Sequence, residues 1–391
     1  MPFLLYLLGL AVFAQATSEF MLSGLGPDIS HDLGVPLPAT GWLTSAFAIG
    51  MVVGAPAIAV LGSRWPRRPA LLITLSVFLV VHVLGALTTS FTILLLTRIV
   101  AAVANAAFLA LALTTATTLV RPDAKGRATA ILLSGTTLAC IAGVPGGALL
   151  GQYYGWRSAF WAVAAICLPT LIAAAYQLPS TPPTPSPPRR RGLIGKGLVL
   201  RLSLGALVNG ATFCSFVYLA PVITETANFG ADWVPVMLAL FGIGSFAGVT
   251  VAGRLADRSP LRVLAVGGTT LLVGWCAFGL LAAVPAAVVV LVLVQGALSF
   301  AVGSTLIALA LYAAADLGVL GAGLATAALN VGAAIGPVLG GLAIAGFGFR
   351  APLWVSAALV AAAAGLVLLT ARSTGFAAGD GHPRDPVSGS R

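Results

Sequence analysis

Residues 47–68 of the chain read FAIGMVVGAPAIAVLGSRWPRR, and residues 241–262 read FGIGSFAGVTVAGRLADRSPLR. The two stretches share eight identities in 22 positions at a fixed offset of 194 residues, and these include charged residues and a proline. The shared positions are Phe47, Ile49, Gly50, Gly54, Leu61, Arg64, Pro66 and Arg68, which match Phe241, Ile243, Gly244, Gly248, Leu255, Arg258, Pro260 and Arg262. The same offset pairs Pro27 with Pro221 and Gly85 with Gly279. The chain is therefore predicted to consist of two similar halves.

The composition identifies the class of protein to which these halves belong. Of the 391 residues, 59% are hydrophobic and only 8% are charged, whereas soluble chains carry about 25% charged residues. Stretches of roughly 20 apolar residues are long enough to cross a bilayer. We predict an all-α membrane protein whose two six-helix bundles contain twelve spans: 3–25, 40–62, 69–89, 92–115, 128–150, 157–176, 198–221, 233–255, 261–282, 285–311, 320–345 and 351–371.

Basic residues in the loops predict the orientation. If both termini lie in the cytoplasm, 17 of the 20 lysines and arginines lie on the cytoplasmic side or in the tail, as the positive-inside rule requires. Residues 1–176 then form the first bundle, and 177–197 a cytoplasmic linker rich in proline and arginine. Residues 198–371 form the second bundle, and 372–391 a disordered cytoplasmic tail.

The formal net charge of +10 does not indicate nucleic-acid binding, because the basic residues lie in short loops between apolar spans. The four cysteines have no spacing typical of a metal site. No nucleophile triad, metal cluster or phosphate-binding loop is evident in the sequence. The sequence thus predicts no enzymatic activity, no metal, no cofactor and no nucleic-acid partner. Two parallel halves in a membrane instead indicate a transporter with a site between them.

Charged residues inside spans are costly and therefore informative. Glu19 lies in the first span and Arg98 in the fourth, at comparable predicted depths, so the two side chains could pair. We expect Glu19 to carry protons and Arg98 to assist it; the alternative is a static buried ion pair. His82 in the third span is either a proton relay or a buried histidine with a structural role.

Uncharged polar residues in the spans are candidates for the substrate cavity. Each either contacts substrate or cross-links helices through hydrogen bonds. The repeat also places Phe213 at the position equivalent to Glu19. The predicted cavity residues are Gln15, Asn105, Asn209, Phe213, Gln295 and Asn330.

Two glycine-rich stretches with a proline indicate either a hinge or tight helix packing. GVPGGALLG covers residues 143–151, and GAAIGPVLGG covers residues 332–341. The predicted hinge residues are Gly143, Pro145, Gly147, Gly336 and Pro337.

Several motifs together resemble the major facilitator superfamily. GRLADRSPLR (253–262) is similar to its loop signature, AVLGSRWPRR (59–68) is a degraded copy, and Arg98 matches the arginine of its fourth helix. The resemblance implies the major facilitator fold and gating loops that contain Arg64, Arg68, Asp257 and Arg258. Ser63 stands where the first-half copy would carry an aspartate, so Asp257 or Asp123 would serve the gate instead.

Within the superfamily, three stretches resemble actinobacterial chloramphenicol-resistance efflux proteins: TSEFMLSGLGPDIS (17–30), LLSGTTLA (132–139) and ATAALNVGAAIGPVLGG (325–341). This resemblance implies a monomer in the bacterial cytoplasmic membrane. It would export a neutral, lipophilic drug such as chloramphenicol by alternating access in exchange for protons, with Glu19 as the proton carrier. The alternatives are a sugar or nucleoside exporter and a membrane sensor that transports nothing.

Overall fold

A computed structural model describes residues 3–61, 66–177, 195–256, 258–317 and 319–374. Within these ranges twelve helices are long and apolar enough to cross a membrane, as predicted. The first half contains α1 (Phe3–Phe20), α2 (Leu22–Asp32), α3 (Leu37–Leu61), α4 (Arg67–Leu87), α5 (Phe91–Thr118), α6 (Lys125–Leu138), α7 (Val144–Tyr154) and α8 (Arg157–Gln177). The second contains α9 (Lys196–Phe216), α10 (Leu219–Pro221), α11 (Trp233–Ala256), α12 (Pro260–Leu281), α13 (Pro285–Ala313), α14 (Val319–Phe347) and α15 (Ala351–Thr374).

The first helix differs from the prediction of one span over residues 3–25. It ends at Phe20, turns at Met21, and continues as α2 to Asp32. Pro27 lies inside α2 and has no N–H to offer the carbonyl of Ser23. The helical segment extends beyond residue 25, so Asp28 and Asp32 lie in α2 rather than in a loop.

The repeat is visible in equivalent contacts between helices. A Cβ atom added to Gly50 of α3 would clash with the carbonyl of Ile99 on α5, and one added to Gly244 of α11 would clash with the carbonyl of Leu293 on α13. Both pairs differ by the 194-residue offset. The same offset relates two further sets of contacts: Gly54–Val103 with Gly248–Ala297, and Gly85–Phe160 with Gly279–Trp354. Small residues thus give both halves the same close helix packing.

Each half also has its own apolar core. One buried cluster draws all its members from residues 4–174. A second is built mainly from residues 204–363 and receives Val144 and Ala148 from the first half. The fold is therefore two six-helix bundles in one chain.

The halves meet along two pairs of spans. In one pair α3 packs on α14; in the other α11 packs on α7 and on the π-helical turn Ala139–Gly143 that joins α6 to α7. We call the end that carries Arg68, Arg121, Lys125, Arg127 and Arg262 the basic end, and the end that carries Asp28, Asp32, Glu225 and Asp232 the acidic end. Towards the basic end α6 packs on α1 and α5 within its own half.

Some predicted features fall outside the described residues. These are the gating-loop residues Arg64 and Asp257, nearly all of the linker and most of the tail.

Candidate functional site

A small apolar pocket lies between the two halves. Phe20, Cys140 and Val144 line it from the first half, and Thr212, Phe213, Phe216, Phe241 and Phe300 line it from the second. The space open to a water-sized sphere is only about 10 Å³, which is barely enough for one water molecule. A ligand of drug size therefore requires the halves to separate.

Five phenylalanine rings form a connected surface in this pocket. Phe20 and Phe213 lie with ring centroids 5.8 Å apart and so bridge the two halves. The series continues through Phe213–Phe216 at 6.3 Å, Phe216–Phe241 at 4.7 Å and Phe241–Phe300 at 6.2 Å. These tilted and edge-on rings present a mainly apolar surface to a ligand. Thr212 contributes the one hydroxyl group among the lining residues.

Glu19 directly precedes Phe20 at the end of α1. Its side chain is half-buried and interacts electrostatically with Arg98 of α5 and Cys140 of the π turn. Among the described residues, the carboxylate has neither a hydrogen-bond partner nor an ion pair. The pairing with Arg98 that the sequence suggested is therefore not present.

Arg98 instead binds the residue before Glu19. Its side chain is 1% exposed, and its two terminal nitrogens donate to the Ser18 hydroxyl and the Ser18 carbonyl, each at 2.7 Å. The guanidinium also lies 4.6 Å from the ring centre of Phe47, a cation–π contact. Arg98 thus caps the carboxyl end of α1, where cations are favoured.

His82 is part of the same network. Its Nε2 atom lies 2.6 Å from the Ser18 hydroxyl oxygen, and its Nδ1 atom lies 2.7 Å from the Phe78 carbonyl oxygen. A carbonyl oxygen only accepts, so Nδ1 carries a proton, and in the neutral imidazole Nε2 therefore accepts a hydrogen bond from the Ser18 hydroxyl. Both hydrogen-bonding atoms of His82 are satisfied, which supports the structural reading of this residue.

The predicted cavity residues are placed in several different environments. Of the six, only Phe213 lines the pocket. Gln15 is buried, and among the described residues neither of its amide atoms has a partner. The Asn209 amide donates to the Leu329 carbonyl of α14 at 2.8 Å, and the Asn330 amide donates to Thr326 within its own helix at 3.0 Å.

Two amides face helices of their own half. Asn105 lies 3.8 Å from the sulfur of Met51 on α3. Gln295 points at α12, where its amide nitrogen lies 3.5 Å from the Leu271 carbonyl oxygen. Gln295 thus points at α12 and not into the pocket described above, and among the described residues its amide oxygen has no hydrogen-bond partner.

The predicted hinge differs between its two helices. In the first half, Pro145 follows the π turn Ala139–Gly143, where the helix widens. A π turn and a proline are both features at which a helix can bend. In the second half, α14 continues through Gly336 and Pro337 without a break.

The described gating-loop residues lie at the basic end. Arg68 donates from its guanidinium to the Ala175 carbonyl near the end of α8, at 2.5 Å. Arg258 is exposed, and its backbone N–H bonds to the Leu255 carbonyl.

At the acidic end a polar cluster ties α2 to α8. Arg157 forms an ion pair with Asp32, the Trp156 indole N–H donates to the same carboxylate at 3.0 Å, and Arg157 also reaches the Thr88 carbonyl at 3.1 Å. The hydrogen bond from Arg157, and to a lesser extent the one from Trp156, holds the pKa of Asp32 below its usual value. This cluster was not predicted from the sequence.

Sequence reasoning also missed Ser18 and most of the aromatic pocket. Phe213 and Phe216 are three residues apart on one helix, a spacing that places both rings on one face, so that part of the signal was present. The other rings come from α1, α11 and α13, and no local pattern links them.

Comparisons with known proteins agree with this architecture. The chain matches the family described as Major Facilitator Superfamily over residues 8–248 and 202–386. A chloramphenicol resistance protein of Streptomyces lividans is 57% identical over 311 residues, which cover 78% of this chain and 79% of that protein. The inner membrane transport protein YdhP of Escherichia coli K12 is 32% identical, covering 75% of this chain and 77% of that protein.

A solved structure shows the same fold. The bacterial homologue of the human lysosomal transporter Spinster, in an inward-facing and unoccupied conformation, superposes with a TM-score of 0.76. The match covers 95% of this chain and 96% of that one at 18% identity, so the likeness concerns the fold alone. Given the family match along nearly its whole length, the chain belongs to the major facilitator superfamily.

Proposed function

We propose that this protein exports small, neutral, lipophilic drugs in exchange for protons, with chloramphenicol as the first substrate to test. The observation that carries the proposal is the adjacency of Glu19 and Phe20. One residue is an unpaired carboxyl group inside the membrane, and the next lines an aromatic pocket between the halves.

The chemistry of the pocket supports a drug of this class. Five rings and a single hydroxyl group offer apolar contact and little hydrogen bonding. A sugar or nucleoside buries many hydroxyl groups, and each one left without a partner is costly. The name of the Streptomyces lividans relative agrees with this choice of substrate.

Glu19 supplies the coupling in this proposal. A charged carboxylate without a partner is unfavourable in an apolar surrounding, and a bound proton removes that cost. Protonation from one side and drug binding from the other would therefore compete at neighbouring residues. Each ligand favours release of the other, and the proton gradient drives export.

Alternating access would bring the site to each side in turn. Contacts across the halves close the acidic end: Gln152 of α7 donates to the Ala231 carbonyl at 2.6 Å, and a Cβ atom added to Gly24 would lie 2.9 Å from Leu238. The proposal makes the basic end cytoplasmic, following the positive-inside rule. The drug would enter from there as the bundles separate.

The remaining features of the proposal follow from the family and the sequence. The protein works as a monomer in the bacterial cytoplasmic membrane with both termini inside. It needs the bilayer, a drug and protons but no cofactor, and it changes no covalent bond.

Accumulation of labelled chloramphenicol in drug-sensitive bacteria that express the chain tests this function. We expect lower accumulation than in cells without it, and a protonophore should restore the full level. Glu19→Gln should abolish the difference at equal expression. Glu225→Gln is the matched control, because Glu225 is an exposed acid at the acidic end.

Two results would contradict the proposal. Unchanged accumulation with the protein present in the membrane would exclude chloramphenicol and favour a sugar or nucleoside. Full export by Glu19→Gln would show that the proton is carried elsewhere.

A further inference from the structure

We propose that Ser18 is a positioning residue that holds the Arg98 guanidinium on the end of α1 and away from the Glu19 carboxyl group. The inference rests on the proposed role of Glu19 as proton carrier and explains how that carboxyl group stays unpaired beside a buried cation.

Ser18 supplies two of the acceptors that bind Arg98. The carbonyl of Ser18 lies among the last four of α1, which have no donor within the helix. Arg98 supplies that donor with one nitrogen and bonds the Ser18 hydroxyl with the other, both at 2.7 Å. One residue thus accepts from both terminal nitrogens and fixes the plane of the guanidinium.

His82 sets the orientation of the Ser18 hydroxyl group. The Nδ1–H of His82 donates to the Phe78 carbonyl, so in the neutral ring its Nε2 atom accepts a hydrogen bond from the Ser18 hydroxyl. With its proton directed at His82, the Ser18 oxygen presents lone pairs to Arg98. His82 itself is held between the rings of Phe78 and Phe160, at 4.1 Å and 5.8 Å. Packing of His82 between rings of α4 and α8 therefore fixes the direction of the hydrogen bonds, from Arg98 to Ser18 and from Ser18 to His82.

Without the Ser18 hydroxyl group, Arg98 would lose one of its hydrogen-bond acceptors. Arg98 is 1% exposed, and among the described residues its Nε atom already lacks a partner. Loss of the Ser18 hydroxyl would leave a second nitrogen unsatisfied in the same apolar surrounding, which is unfavourable. Glu19 is the adjacent residue and interacts electrostatically with Arg98. The guanidinium would turn to it, and the resulting ion pair would compete with the proton.

The titratable groups around Glu19 lie on the helices that pack against α1. Arg98 of α5 and Cys140 of the π turn interact with it electrostatically. No side chain of α3 between residues 37 and 61 is titratable. The helices α2, α6, α7 and α8, which also pack on α1, carry Asp28, His31, Asp32, Lys125, Arg127, Tyr153, Tyr154, Arg157, Cys167 and Tyr176.

Infrared titration of the full protein in lipid nanodiscs tests the proposal without any transported drug. The carbonyl band of a protonated carboxyl group is assigned to Glu19 by its loss in Glu19→Gln. In Ser18→Ala we expect this band to disappear at a pH lower than in the unmodified protein by about one pH unit or more, as a cation that moves next to a carboxylate would cause. Ser18→Thr keeps the hydroxyl group and should restore the original titration.

A matched control and a second variant keep the test decisive. Ser45→Ala removes a buried serine hydroxyl on α3 that has no partner among the described residues, so it should titrate like the unmodified protein. His82→Phe removes the acceptor while keeping the ring, and we expect a smaller shift in the same direction. If Ser18→Ala does not fold, the titration of His82→Phe tests the proposal in its place.

Three results would overturn the inference. They are an unchanged titration in both Ser18→Ala and His82→Phe, an equal shift in Ser18→Thr, or no Glu19-dependent band in the unmodified protein. A failure of drug export alone would instead count against the proposed function, because the infrared measurement uses no drug.

Discussion

The hydroxyl oxygen of Tyr218 lies 3.1 Å from the carbonyl oxygen of Pro38, and this contact joins the second half of the chain to the first. The same hydroxyl group lies 2.9 Å from the carbonyl oxygen of Pro337 on α14. Tyr218 follows the end of α9, where Pro221 has no N–H for the carbonyl of Val217 and the helix is interrupted. The break thus places a polar group at the meeting point of three helices.

Tyr218→Phe should weaken closure of the acidic end. One hydrogen bond contributes about 0.5–1.5 kcal/mol, so the ratio of closed to open molecules should fall by roughly two- to tenfold. Spin labels at the exposed positions Tyr153 and Asp232, one in each half, would report the change as a larger population at long distance. Tyr312→Phe, at an exposed tyrosine of α13, should leave the distribution unchanged; an unchanged distribution in Tyr218→Phe would contradict the prediction.

Gly41→Ala should open the same end by steric conflict. An added Cβ atom would collide with the Tyr218 hydroxyl and lie 3.0 Å from the ring carbon that bears it. We expect a larger effect than that of Tyr218→Phe. The loss of closed molecules in the double variant should be smaller than the sum of the losses in the two single variants, because removal of the Tyr218 hydroxyl relieves part of the collision. Strict additivity in the same distance measurement would argue against direct contact.

Phe213→Ala should weaken drug binding at the pocket. Phe213 contacts both Phe20 and Phe216, and an aromatic pair contributes about 0.5–1.5 kcal/mol beyond its buried area. We expect a KM for chloramphenicol export that is at least roughly threefold higher. Phe229→Ala is the control, since Phe229 packs on Trp233 away from the pocket. An equal rise in KM in both variants would contradict a specific role of Phe213 in drug binding.

Asp32→Asn should lower stability at neutral pH. The folded protein holds the pKa of Asp32 below its usual value of 3.8, with the hydrogen bond from Arg157 as the main cause. A depressed pKa contributes stability that is fully present above pH 3.8 and is lost as the pH falls through the lower folded value. The pair is partly exposed, so the expected difference in unfolding free energy is about 0.2–1 kcal/mol.

Thermal unfolding in detergent at pH 7 and at a pH below the lowered pKa of Asp32 in the folded protein would check this pH dependence. The two proteins should differ at the higher pH and converge at the lower one. A difference that persists or grows in acid would show that Asp32 contributes through something other than its charge.

Gly50→Ala and Gly244→Ala should both destabilise the protein, because each added methyl group meets a carbonyl of the neighbouring helix. Overpacking of this kind costs about 1–3 kcal/mol. Gly146→Ala should be neutral or stabilising, since an added Cβ there meets no described atom within 4 Å. The unfolding temperatures of the three variants give the comparison, and equal effects at Gly50 and Gly146 would refute it.

The sequence by itself determined the repeat, the twelve spans and the rarity of charge inside them. Apolar length and loop charge are local properties, so the spans could be located to within a few residues. Gly50 and Gly244 could be paired from the sequence because the two halves repeat the same helix contact. Glu19 and Arg98 could be identified because charged residues are rare within apolar spans.

Only the tertiary structure decided which side chains meet. Ser18, His82 and Arg98 come from three helices, and the pocket rings come from four. Gln295 and Phe213 are both buried in apolar helices, yet one faces α12 and the other faces the opposite half. Hydropathy does not distinguish these directions, because the lipid-facing and protein-facing sides of these helices are both largely apolar. The rotation of each helix is set by packing against its neighbours.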